Sequence, residues 1–181
     1  MTDHKPKRKG KPRSEKPEAK PLPPNHTLEH GIGPIQKRLI GDFIVEWSYF
    51  EAALDDLIWR ILRLAEDDGK ILTKRSQAET KIAILRAIAP RHLKAELLDK
   101  LRDALDDADA VREDRNFVAH GVWGTLNGEA IALSSKAKAL PGEVVAETFT
   151  HERLRRLIGN TKKIRDMIVD VILEHDPSPE K

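Results

Sequence analysis

Cysteine is absent from all 181 residues. That excludes a disulfide framework, a thiolate metal site and a cysteine nucleophile. Long apolar runs are missing too: none approaches the roughly 18 residues a membrane span requires, and charges stand where a signal peptide would carry its apolar segment. The expectation is a soluble, unsecreted, cytoplasmic protein without a membrane partner. Nor does the chain contain G-x-x-x-x-G-K, G-x-G-x-x-G or G-x-S-x-G. A P-loop nucleotidase, a dinucleotide-binding fold and a common hydrolase triad therefore have no support. No internal repeat is visible, and no cofactor is expected.

What is present is the composition of an ordinary globular domain, with an apolar fraction of about 45% once glycine is included. The length suits one core plus a tail. The net charge of +2 conceals an asymmetry: residues 1–30 carry eight Lys or Arg against Asp3, Glu15, Glu18 and Glu29, which leaves the rest at −2. The whole chain is thus not a basic nucleic-acid binder, although its first segment can track a phosphate backbone. Residues 1–33, rich in Lys and Pro and without apolar periodicity, read as a disordered basic arm, either an electrostatic anchor or a solubilising leader. His26 and His30 lack the HExxH context of a zinc site. Residues 34–175 make the domain, and 176–181, with Pro177 and Pro179, a short tail.

Apolar periodicity predicts a mainly α fold of four to five helices. Pro34 suits a helix start, and Ile35, Leu39, Phe43, Trp47, Phe50, Leu54, Ile58, Ile61 and Ala65 recur at helical spacing up to Asp67-Asp68-Gly69. Ser76-Gln77-Ala78-Glu79 has capping-box spacing; Ile82, Leu85 and Ile88 follow, and Pro90 should end that helix. A third helix spans about Arg91 to Val118, its polar face carrying Asp99, Asp103, Asp106, Asp107, Asp109, Glu113 and Asp114. These carboxylates follow no EF-hand pattern and read as solvated cover. Short β-rich segments around Trp123, Ile131 and Val145, with turn signals at Asn127-Gly128 and Pro141-Gly142, predict a small antiparallel β-hairpin or meander between the third and fourth main helices. Trp123 is expected to pack this unit onto the helices. Thr150 then caps a last helix reaching about His175.

Near the end of the third helix stands Arg115-Asn116-Phe117-Val118-Ala119-His120-Gly121. Steps of three and four residues back from Arg115 give Val111, Ala108, Ala104, Leu101 and Leu97, so Arg115 interrupts an apolar stripe. A guanidinium stays charged at neutral pH and must meet a carboxylate, a phosphate or water there. Glu51, which shares the face of Trp47 and Leu54, is the expected carboxylate; otherwise it reaches solvent from the edge of its stripe. The plain structural alternative is a buried Arg closing the helix, with His120 as a C-terminal cap.

Arg115 to His120 resembles the R-x4-6-H motif of the HEPN family of all-helical domains, with Asn116 as the polar residue following the Arg. Trp47-Ser48-Tyr49-Phe50-Glu51 on a long first helix, and Gly121 and Trp123 after the motif, extend the likeness over roughly Pro34 to Trp123. The resemblance implies a HEPN-like bundle, a homodimer whose two motifs face one cleft, and metal-independent endoribonuclease activity on RNA, often as the toxin of a defence or toxin-antitoxin module. A cognate antitoxin or a nucleotidyltransferase-like protein is then a partner. Chemically, an Arg fork matches phosphate oxygens and a His moves a proton near neutral pH. Together they suffice to cleave RNA through its own 2′-hydroxyl. His120 is expected as general base or acid, Arg115 as the transition-state clamp, and Asn116 as the group positioning phosphate or the imidazole. Arg112 either widens the phosphate site or forms a surface salt bridge with a nearby Asp. Residues five apart lie about 140° apart on an ideal helix, so this reading requires the helix to end or distort between Arg115 and His120. The rival is a non-catalytic dimeric module that binds RNA, a nucleotide or a partner protein. It predicts Arg115 locked against Glu51, whereas a nuclease predicts Arg115 and His120 in a shared, open cleft.

Overall fold

The computed structural model describes residues 20–21, 31–126, 128–134 and 145–175. Apart from Lys20–Pro21 and residues 31–33, the expected disordered arm lies outside them, as do the pair His26 and His30, the Pro141-Gly142 turn and the tail. In chain order the elements are β1 (Lys20–Pro21), α1 (Pro34–Ile61), α2 (Glu66–Thr73), α3 (Ala78–His92), α4 (Ala95–His120), β2 (Val122–Leu126), β3 (Glu129–Ser134), β4 (Val145–Thr148) and α5 (His151–Glu174). The fold is mainly helical, with a small antiparallel sheet ordered β1-β4-β3-β2. No described helix is long and apolar enough to cross a membrane.

The long helices are joined by one core in which Phe43, Phe50, Phe149, Leu54, Leu85, Leu101, Leu154 and Ile168 are essentially inaccessible to water. Ion pairs at its edge record how the helices run. Asp114 meets Arg153, Asp107 meets Lys163 and Lys100 meets Glu174, so α4 and α5 are antiparallel. Likewise Glu79 meets Arg112, and Arg86 meets both Asp106 and Asp109, which sets α3 antiparallel to α4. On α1, Glu46 bridges to Lys162 and Arg165, while Gln36 donates to the Phe149 carbonyl just before α5; these two helices run side by side in one direction.

Four boundaries differ from the pattern in the sequence, each for a local reason. The first helix stops at Ile61, short of Gly69, because the chain turns through Leu62 and Arg63, the latter at φ +53°. This turn folds α2 back so that Gly69 packs on the Trp59 indole and Thr73 Oγ1 accepts from Trp59 Nε1 at 3.2 Å. The acidic run read as a helix end is instead the first turn of α2, where Glu66, Asp67 and Asp68 suit the positive end of the helix dipole. At the other end of α1, Ile35 is exposed and the neighbouring Gln36 is buried in its place. The capping box of α3 does not form: Gln77 is the N-cap, without a side-chain cap bond. Pro90 does not end α3: the chain runs on to His92, with one backbone donor missing from the last turn. Accordingly α4 begins at Ala95, not Arg91.

The sheet is as expected. β2 and β3 pair with Leu126 opposite Glu129 across a two-residue connection in which Gly128 takes φ +80°, a conformation that favours glycine. Trp123 is half-buried with its ring centroid 5.4 Å from that of Phe149, which fixes the hairpin to the helices. Thr150 caps α5 by accepting from the Arg153 N–H at 3.1 Å. One pairing was not expected: Lys20–Pro21 adds to β4, opposite Ala146 and Val145.

Candidate functional site

The last three turns of α4 form one wall of an open cleft of about 220 Å³, and α1 and the start of α3 form the others. Its lining is Trp47 and Glu51 from α1, Gln77, Ala78 and Glu79 at the start of α3, and Arg112, Arg115, Asn116 and His120 from α4. All five residues singled out in the sequence therefore share one cavity. Its volume lies below that of a drug-sized site.

Arg115 is half-buried at the end of the apolar stripe of α4. Its Nε is shielded from water and without a hydrogen-bond partner. The expected pairing with Glu51 is not formed: Glu51 instead accepts a hydrogen bond from Trp47 Nε1 at 3.0 Å. The reason is local, because Glu51 sits one turn beyond Trp47 on the same face, and the buried indole N–H needs an acceptor. What faces the guanidinium is the Trp47 ring, with the Arg115 Cζ 5.9 Å from its centroid, at the outer edge of a cation–π contact.

Arg115 Nη1 lies 3.3 Å from His120 Nε2. A guanidinium can only donate, so a hydrogen bond between the two has Nε2 as its acceptor. No break or distortion of the helix is required, since α4 continues through His120. The length of the Arg115 side chain spans the angular gap, and His120, as the last helical residue, has no following turn beside it. Nor does His120 serve as a cap for the helix. Two carbonyls of the last turn are taken by other groups: Gly121 N–H donates to Phe117 O at 2.8 Å and Trp123 Nε1 to Val118 O at 3.2 Å. That leaves the exposed imidazole to the cleft. A Cβ on Gly121 would collide with the Phe117 carbonyl, so glycine is needed for the chain to pass directly from α4 into β2.

Asn116 is exposed on the cleft wall. Arg112 pairs as the plain reading anticipated, though its main partner is Glu79 across the cleft, at 2.6 Å, with Asp109 of its own helix at 3.6 Å. Glu79, read in the sequence as part of a capping box, and Gln77 are thus cleft residues that sequence reasoning missed. The only signal was their position at a helix start, which says nothing about which helix end lies opposite. The acidic face of α4 is exposed at Asp99, Asp103, Asp106 and Asp107 as expected, but Asp114 departs from it.

Asp114 belongs to a shielded cluster that anchors this end of α4. Arg153 Nη2 donates to Asp114 Oδ1 at 2.6 Å, while Nη1 donates to Glu147 Oε2 at 2.9 Å and to the Thr148 carbonyl at 2.7 Å. The guanidinium also lies 4.2 Å above the Phe149 ring. Burial by itself would lower the pKa of Arg153; the attraction of Asp114 and the hydrogen bonds to Glu147 and Asp114 outweigh it and raise the pKa. Because Asp114 precedes Arg115, the cluster fixes the segment that carries the cleft's cation to β4 and α5.

Among the described residues no group of three or more His, Asp or Glu side chains converges for a metal ion. What the cleft does offer is an imidazole in contact with the Arg115 guanidinium, with Arg112 in the same lining, so that a proton-transfer group stands next to a cation that can hold an anion. Comparison with protein-family models, with curated proteins and with solved structures returns no match to this chain.

Proposed function

We propose that this chain is a metal-independent endoribonuclease of the HEPN type, acting as a homodimer and as the toxin of a defence or toxin-antitoxin module. The observation that carries the reading is the 3.3 Å approach of Arg115 to His120 within an open cleft. In this mechanism the bound phosphate draws Arg115 Nη1 away from His120 Nε2, the freed Nε2 takes the proton of a ribose 2′-hydroxyl, and the 2′-oxygen attacks the adjacent phosphorus. The P–O5′ bond breaks, and the departing oxygen takes up a proton from the imidazolium or from water. Arg115 neutralises the charge that grows on the phosphorane oxygens, and Asn116 orients the phosphate or the imidazole. The products are a 2′,3′-cyclic phosphate, or its hydrolysis product, and a 5′-hydroxyl. A cognate antitoxin or nucleotidyltransferase-like partner would act by covering this cleft.

The test is incubation of the purified chain with labelled RNA in EDTA. Cleavage is expected to persist, to fall by about 10²–10⁴-fold in His120→Ala and by about 10²–10³-fold in Arg115→Ala. Cleavage by His120→Ala at the parent rate would remove His120 from the mechanism. The alternative is a non-catalytic dimeric module holding RNA, a nucleotide or a partner protein. Glu51 and Glu79 in the lining favour it, since carboxylates beside a phosphate oppose charge build-up in a transition state. It predicts binding without cleavage.

A further inference from the structure

We infer that Glu79 is a built-in competitor for RNA: in the free protein its carboxylate holds Arg112, and a backbone phosphate flanking the scissile one displaces it. The inference rests on the cleft being the RNA site proposed above. Arg112 and Arg115 are three residues apart on α4, one turn along a shared face, and both line the cleft. Only Arg112 is occupied by a carboxylate, through the 2.6 Å contact from its Nη1 to Glu79 Oε2. Its Nε remains buried without a hydrogen-bond partner, because Asp109 Oδ1 stands off at 3.6 Å. The guanidinium therefore has donor capacity that the protein does not use.

Glu79 is suited to leave. Its side chain is 68% exposed against 28% for Arg112, so Glu79 is held by the ion pair and not by packing. A phosphodiester and a carboxylate each present two oxygens sharing one negative charge, and a guanidinium fork accepts either. Exchange thus leaves Arg112 paired with one negative charge and returns the Glu79 carboxylate to water. An ion pair this open is weak, so it tunes affinity without closing the site. Arg112 then becomes the second clamp on the strand, one helical turn from Arg115.

A 2′-O-methyl RNA oligonucleotide lacks the attacking hydroxyl and serves as an uncleavable probe. Its binding is measured by fluorescence anisotropy at one low salt concentration for the full chain, Glu79→Gln, Arg112→Gln and the double variant, each checked for helix content by circular dichroism. Glu79→Gln is expected to tighten Kd about two- to fivefold. Arg112→Gln should weaken binding, and the double variant should match Arg112→Gln within about 1.5-fold, since the competitor acts only through Arg112. Equal tightening in both backgrounds would assign the effect to general charge removal and overturn the inference, as would an unchanged Kd in Glu79→Gln or no binding by any form. Cleavage of unmodified RNA by the parent chain is scored separately. Coupling without cleavage keeps Glu79 as competitor in a binding cleft and sinks the nuclease reading. Cleavage without coupling sinks the competitor alone.

Discussion

Replacing Arg153 tests whether one shielded cation holds the functional end of α4 in place. Its guanidinium joins Asp114, Glu147 and the Thr148 carbonyl and covers the Phe149 ring; the side chains of Arg153, Asp114 and Glu147 are 16%, 21% and 12% exposed. Arg153→Met keeps the aliphatic stem and removes the charge, which strands two mostly buried carboxylates. Breaking a fully buried pair costs about 3–5 kcal/mol. Each group here retains some water contact, so the expected loss is about 2–4 kcal/mol. For a domain of this size that lowers Tm by about 5–12 °C. Urea unfolding followed by circular dichroism should show a lower midpoint with an unchanged slope. Adding Asp114→Asn and Glu147→Gln to Arg153→Met should recover much of the loss, because no unpaired charge then remains. A loss below about 1 kcal/mol, or no recovery in the triple variant, would refute the claim that the cluster acts through paired, shielded charge.

Two further substitutions probe the frame around the site. Gly69→Ala gains helix propensity but places a Cβ 2.5 Å from the Trp59 indole; overpacking of about 1–3 kcal/mol should win over a gain of about 1 kcal/mol, and a raised urea midpoint would contradict it. Thr150→Ala removes the cap that receives the Arg153 N–H and should cost about 1 kcal/mol, read as a lower thermal midpoint; a cost near zero would mean water replaces the hydroxyl.

How far the site was legible depended on whether its residues are neighbours in the chain. Arg112, Arg115, Asn116 and His120 lie within three turns of one helix, so their presence at one end of α4 was legible, whereas the contact between Arg115 and His120, about 140° apart on an ideal helix, was not. The helices themselves were readable from periodicity, and the hairpin from the turn chemistry at Gly128, because these signals are local. Helix ends were less legible. The acidic run Glu66 to Asp68 marks a helix start as well as a helix end, and only the docking of Gly69 on Trp59 decides between them.

The sequence alone determined that this chain forms long amphipathic helices followed by a small sheet, and that a charged Arg must be accommodated where an apolar residue would pack. Tertiary structure decided what meets that charge. Glu51 turned to the indole N–H of Trp47, Trp123 and Gly121 bonded the Val118 and Phe117 carbonyls, and the His120 ring came to lie against Arg115. Glu79 reached Arg112 from α3, and Arg153 reached Asp114 from α5, 39 positions along the chain. Such partners are chosen by which helix ends come to lie side by side, and a periodic pattern fixes the buried face of each helix without specifying its neighbour.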